Sequence, residues 1–203
     1  MAKLTKSVLN DLMTGISSIK LLGPLSTLPT ESAALKTLFD EADEIFTTKD
    51  SVSIEQAEPS TTELKVDQFD AAIGVTYEPG EYTFACTIPS NAKPLLDYFF
   101  ATNDTPAPAV PGYAAGVGVE AKTKIVKTAM FIESQSKNSA ILFMNTELVA
   151  TTTWSDTSTT PLSIRITGTI KSNPDGDDII FYPTAASSAS PASSTPKSGS
   201  SGL

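Results

Sequence analysis

The stretch from Ser51 to Ala101 constrains the fold more than any other part of this chain. It reads SVSIEQAEPSTTELKVDQFDAAIGVTYEPGEYTFACTIPSNAKPLLDYFFA. Val52 and Ile54 alternate with Ser53 and Glu55, Leu64 and Val66 alternate with Glu63, Lys65 and Asp67, and Ile73, Val75 and Tyr77 continue the pattern. A period of two marks half-buried strands, because successive side chains fall on opposite faces. Glu58-Pro59-Ser60 and Glu78-Pro79-Gly80 read as turns, the second with a glycine free to take positive φ. Tyr82, Phe84, Cys86 and Ile88 form the inward face of the next strand. A short helix follows, capped by Ser90 or Asn91 with Pro94 in its first turn. Leu95, Leu96, Phe99 and Phe100 make one stripe on it, suited to packing on a sheet.

Four more strands are expected downstream, over Lys124–Ser134, Ala140–Leu148, Leu162–Lys171 and Asp178–Tyr182. Asn173-Pro174-Asp175-Gly176-Asp177 reads as a hairpin turn between the last two. Upstream, Leu4, Val8, Leu12, Ile16 and Ile19 fall on one helical stripe over residues 4–20, which Gly23-Pro24 closes. A second helical pattern places Leu35, Leu38, Phe39, Ala42, Ile45 and Phe46 on one side and the acidic run Asp40, Glu41, Asp43 and Glu44 on a solvated face. The Pro-, Ala- and Gly-rich segment 102–119 reads as a long functional loop. The Ser/Ala/Pro tail 184–203 has too few apolar groups to offset ordering entropy. The expected fold is mainly β: two packed antiparallel sheets with one flanking helix and a helical N-terminal segment. Three regions follow: a segment 1–48 for contacts between subunits, a β-rich domain 49–183, and the tail 184–203.

Composition removes whole classes of chemistry. The chain has no histidine, which excludes Ser-His-Asp and Cys-His catalysis and His-ligated zinc. Cys86 is the only cysteine, so no intrachain disulfide or cysteine zinc site forms, and its place in the apolar register makes it an inert buried thiol. Arg165 is the only arginine, which argues against phosphate recognition built on guanidinium forks. The net charge is −9, and thirteen acidic residues against three lysines lie between Glu31 and Glu81. Such a segment repels nucleic acid and anionic membranes. No stretch reaches the roughly 18 apolar residues of a membrane span. Lys3 and Lys6 precede an apolar stretch, but Asp11 and Lys20 interrupt it, so the expectation is a cytoplasmic chain beginning at Met1.

The remaining signals for chemistry are weak. Asp175, Asp177 and Asp178 lack the spacing of a calcium loop and fit a turn. Gly116–Val119 reads GVGV without a following Lys-Ser/Thr, so it is no phosphate loop. Glu63 and Asp67 form a carboxylate pair of the kind used on glycosidic bonds, yet nothing marks a substrate groove. No nucleophile–base pair is visible, so neither an enzyme nor a cofactor is expected.

The run from Glu55 to Phe100 resembles the tail tube (major tail) proteins of long-tailed bacteriophages. The resemblance rests on Glu58-Pro59-Ser60-Thr61-Thr62-Glu63, the acidic strand and turn after it, the aromatic strand ending Thr87-Ile88-Pro89, and the short apolar helix. It covers about a quarter of the chain well. It implies a structural virion protein, assembled in the host cytoplasm, whose copies self-assemble into hexameric rings. Long hairpins of six copies would join into an inner β-barrel, and stacked rings would form the tube for DNA ejection, with other tail proteins as further partners. Ser53, Glu55, Glu63, Lys65, Asp67, Glu81 and Thr83 would then line the lumen, and Lys65 departs from a uniformly acidic wall. The segment through Phe46 and the 102–119 loop would contact the next ring.

Two other readings stay open. A head–tail connector or decoration protein shares an acidic β composition without needing the hairpin. A secreted β-sandwich adhesion or carbohydrate-binding module would carry exposed aromatics and remain a monomer.

Overall fold

The computed structural model describes residues 15–66, 69–103, 105–136, 139–154 and 162–183, with the side chains of 65–66 and 69–73 outside that description. Among the described residues the protein is mainly β, with two antiparallel sheets and two helices. The strands in chain order are β1 (Ile16–Leu21), β2 (Asp43–Ile45), β3 (Ser53–Gln56), β4 (Ser60–Val66), β5 (Phe69–Glu78), β6 (Tyr82–Ile88), β7 (Ile125–Ser134), β8 (Ala140–Thr153), β9 (Ser163–Ile170) and β10 (Ile179–Tyr182). Helix α1 covers Ser32–Asp40 and α2 covers Lys93–Phe99.

The large sheet runs β2-β1-β7-β8-β9-β6-β3, with β10 added along β8. It curls strongly. Ile19 and Ile45 from one end share a core with Phe84, Cys86 and Ile88 from the other, although three strands separate β1 from β6. The Thr48 N–H even donates to the Thr87 carbonyl (2.8 Å), yet the sheet does not close into a barrel. Helix α2 covers this core with Phe99, fully buried, while Leu95, Leu96 and Phe100 pack partly buried around it. Its N-cap is Ala92 rather than Ser90 or Asn91, because the Ser90 hydroxyl instead accepts the Ala92 N–H (3.2 Å). On the opposite face of the sheet, Ala129, Leu142 and Met144 are covered by Leu22, Leu25 and Leu28, and Phe39 of α1 packs on Phe131 with ring centroids 4.6 Å apart and the rings tilted by 46°.

The second sheet is the two-stranded ribbon β4–β5, whose packing among the described residues is essentially between its own strands. The expectation of two sheets packed face to face is therefore corrected. The core forms inside one curled sheet, and the second sheet is an outgrowth of it. Glu58-Pro59-Ser60 and Glu78-Pro79-Gly80 do not reverse the chain either. Ser53 faces Ala85 and Gln56 faces Tyr82 in the sheet, and Ser60 faces Glu78 through Leu64 facing Gly74 in the ribbon, all in one continuous register. β3–β4 and β5–β6 are thus the two arms of a single long hairpin, interrupted where Pro59 and Pro79 cannot donate to the ladder. The Ala57 N–H bridges the gap to the Glu81 carbonyl (3.0 Å).

Three other expectations are corrected. Residues 16–20 form strand β1, not the end of a helix; Leu4, Val8 and Leu12 lie outside the described residues. Ile19 with Leu21 satisfies a period of two, as Ile19 with Ile16 satisfies the helical one, and pairing with both β7 and β2 decides between them. Within segment 1–48, β1 and β2 are strands of the main sheet. Helix α1 stops at Asp40, short of Ala42, Ile45 and Phe46. Asp40, Glu41, Asp43 and Glu44 would sit at the negative end of the helix dipole, and Ile45 is buried in β2 instead. Finally, β9 and β10 do not pair as a hairpin. Both pair with the same edge of β8, β9 along Thr146–Thr153 and β10 along Ala140–Phe143, so they form one interrupted strand. The excursion between them is pinned by buried Asn173, whose Nδ2 donates to the Ser26 carbonyl (3.0 Å) while its N–H donates to Asp178 Oδ1 (2.5 Å).

Segment 102–119 is more ordered in form than a plain loop. Thr102 bridges Val119 and Ala107 bridges Gly116, making a narrow finger. At its tip the Tyr113 N–H donates to the Val110 carbonyl (2.8 Å) across Pro111-Gly112, with Gly112 at φ +88°. That is the geometry of a turn requiring glycine at its third position.

Candidate functional site

In antiparallel strands, directly opposed residues share a face. Glu55 opposes Thr83, Thr83 opposes Thr169, Thr169 opposes Glu147, and Glu147 opposes Lys127. The neighbouring rung runs Ser53, Ala85, Thr167, Val149 and Ile125. A third holds Thr87, Arg165 and Thr151. The outer face of β3-β6-β9-β8-β7 is thus a wall of hydroxyls and charged groups with exposed Ile125 at its β7 side, dished into a shallow depression beside Glu55, Glu147 and Arg165. Its reverse carries Phe84, Cys86, Ile164, Ile166 and Leu148, all in the core. Burial pushes the Cys86 thiol up to about 12, which keeps it protonated and unreactive.

Of the seven residues singled out in the sequence, Ser53, Glu55, Glu81 and Thr83 come together on or beside this face. Glu81 accepts from Lys171 Nζ at 2.5 Å, and the same contact raises the lysine above its ordinary pKa. Glu63 stands apart, on the ribbon. It opposes Val75, and Thr61 opposes Tyr77, so the polar residues of β4 share a face with the apolar residues of β5. The Lys65 side chain and Asp67 lie outside the described residues.

The face is not uniformly acidic. Glu55, Glu81 and Glu147 are matched by Lys127, Arg165 and Lys171, with Lys127 and Glu147 paired at 3.1 Å. The cations enter from β7 and β9, strands distant in sequence. The alternation of Arg165, Thr167 and Thr169 with Ile164, Ile166 and Ile170 is the signal that marks their side of the wall.

The ribbon is the second unusual surface. Leu64, Val75 and Tyr77 are exposed on it, Tyr77 by 71%. Large apolar groups thus lie exposed on both sides of the two-stranded ribbon, and an isolated ribbon of this kind is marginally stable in water. No convergent acid–base constellation is present on either surface among the described residues. No protein-family model matches the chain, and no curated protein matches it in sequence.

Proposed function

We propose that this chain is a structural subunit of a tube, of the kind formed by the tail tube proteins of long-tailed bacteriophages. The observation that supports it best is the long hairpin. Its base lies in the large sheet at edge strand β3, and its outer half leaves the sheet with apolar residues uncovered. An open edge next to an uncovered ribbon is an aggregation liability in a monomer, and pairing between copies in a closed ring removes it. Hexameric rings whose hairpins join into an inner β-barrel are the arrangement this reading adopts. The polar wall would then face the lumen. Lys127 and Lys171 already have carboxylate partners, so the wall offers passing phosphates no free lysine cluster to bind.

The test is negative-stain electron microscopy of the concentrated protein. Rings or hollow tubes of uniform diameter with six-fold averages are expected. Closed dimers or trimers would overturn the reading and favour a decoration or adhesion module.

A further inference from the structure

A groove between α1 and α2 is built for an occupant. Leu22, Pro24, Leu38, Tyr98 and Val126 give it an apolar lining, and its charged groups are Glu41, Asp43, Asp97, Lys124 and Lys127, of which Asp97 is paired with Lys93. The two lysines are engaged: Lys124 Nζ donates to the Asp97 carbonyl (2.7 Å) and Lys127 pairs with Glu147. Glu41 and Asp43 make no ion pair among the described residues. An occupant must therefore be apolar along one side and cationic toward Glu41 and Asp43.

We propose that residues 1–14 of a second copy of this chain fill the groove, with Leu4, Val8 and Leu12 on its lining and Lys3 and Lys6 facing Glu41 and Asp43. The other long segments outside the described residues, 155–161 and 184–203, contain Leu203 as their one large aliphatic side chain. The 105–119 finger exposes Val110 and Tyr113 but carries no charge to answer the two carboxylates. Tethering decides between the same chain and a second copy. Gly15 lies at the far end of β1 from Leu21 at the groove wall, about 20 Å away at strand rise. Leu12, three residues before Gly15, reaches at most about 11 Å, and Val8 reaches about 25 Å only when fully extended. The stripe cannot lie along its own groove as a unit, whereas a second copy brings it without that tether. This inference concerns a surface separate from the polar wall and holds for any self-assembly of the chain.

The test mixes full-length chains carrying Val8→Cys with chains carrying Ala42→Cys, under oxidised glutathione. Cys86 is buried and stays silent. The expected product is the mixed disulfide, formed at least about tenfold faster than either homodimer. Lys3→Glu with Lys6→Glu should slow it about tenfold, the effect of two exposed ion pairs, and Glu41→Lys with Asp43→Lys in the other chain should restore it. Three results overturn the proposal: Tyr113→Cys replaces Val8→Cys as the crosslinking partner, a chain with both cysteines closes on itself at a rate independent of concentration, or the charge swap fails to restore the rate. Circular dichroism on each variant separates these from misfolding.

Discussion

Glu81 and Lys171 clasp the base of the long hairpin to the end of β9 through a contact of 2.5 Å between exposed side chains. The hydrogen bond to Glu81 raises the Lys171 pKa above the ordinary 10.5. A raised lysine contributes stability that is fully present below its unfolded value and is lost as pH rises through its folded value. Lys171→Met should therefore melt lower than the native chain at about pH 8, and the difference should shrink as the pH is raised above the ordinary 10.5. Thermal melts over that pH range check this. A difference that persists at high pH would assign the effect to packing of the lysine stem.

Asp97 supplies the opposite limb of the pH profile. Hydrogen bonds from Lys93 and from the Thr102 hydroxyl (2.9 Å) hold its carboxyl below the ordinary 3.8. Its contribution is present above that value and lost as pH falls through the folded pKa. Asp97→Asn should flatten the acid side of the stability curve. Amide exchange of α2 and of the Thr102–Val119 bridge should also quicken at neutral pH, since Asp97 ties the helix to the start of the finger.

The core prediction rests on Phe99. It is the one fully buried residue of α2 and packs into the cluster that joins both ends of the curled sheet. Phe99→Ala should cost about 3–5 kcal/mol, as for other buried aromatics truncated to alanine. Urea denaturation measures it. A cost below about 1 kcal/mol would mean that α2 is not what seals this core.

These residues also show how far the sequence could be read. The strand parities of β3 and β6 were legible, because alternation is a local signal. So was the α2 stripe, since a helical repeat of large apolar groups has few other uses. What was not legible depended on partners remote in the chain. Ile16 and Ile19 fit a helix until β7 is placed beside them. Asn173–Asp177 has the residues of a hairpin turn, but β8 is long enough to hold β9 and β10 end to end, so the turn became an excursion. The acidity of Ser51–Ala101 was real, yet on the folded wall Lys171 pairs with Glu81 and Arg165 shares the face, and only topology brings these cations there.

Gly80 tests the continuity of the hairpin. A Cβ built there would overlap the backbone carbonyl of Ala57, next to the Ala57–Glu81 hydrogen bond that bridges the two halves. Gly80→Ala must move backbone, and overpacking of that kind costs about 1–3 kcal/mol. The strain should stay local. Hydrogen exchange should rise at Ala57 and along β3, while Ile164 and Ile166 in the core of β9 keep their protection.

The ribbon carries the prediction that separates assembly from folding. Leu64, Val75 and Tyr77 are exposed and contribute nothing to either buried cluster. Replacing all three by serine removes apolar surface that the single chain leaves in water, so the monomer should lose little stability. Between copies the same surface is worth roughly 25 cal/mol per Å² covered, and tubes should be lost or their critical concentration raised at least tenfold. Light scattering and electron microscopy read the assembly, and a urea titration of the dilute chain reads the fold. If tubes form at the native concentration with all three serines in place, the ribbon is not the element that joins the copies. The open edge of β3 would then be the place to look, with Glu55→Pro as the variant that blocks it.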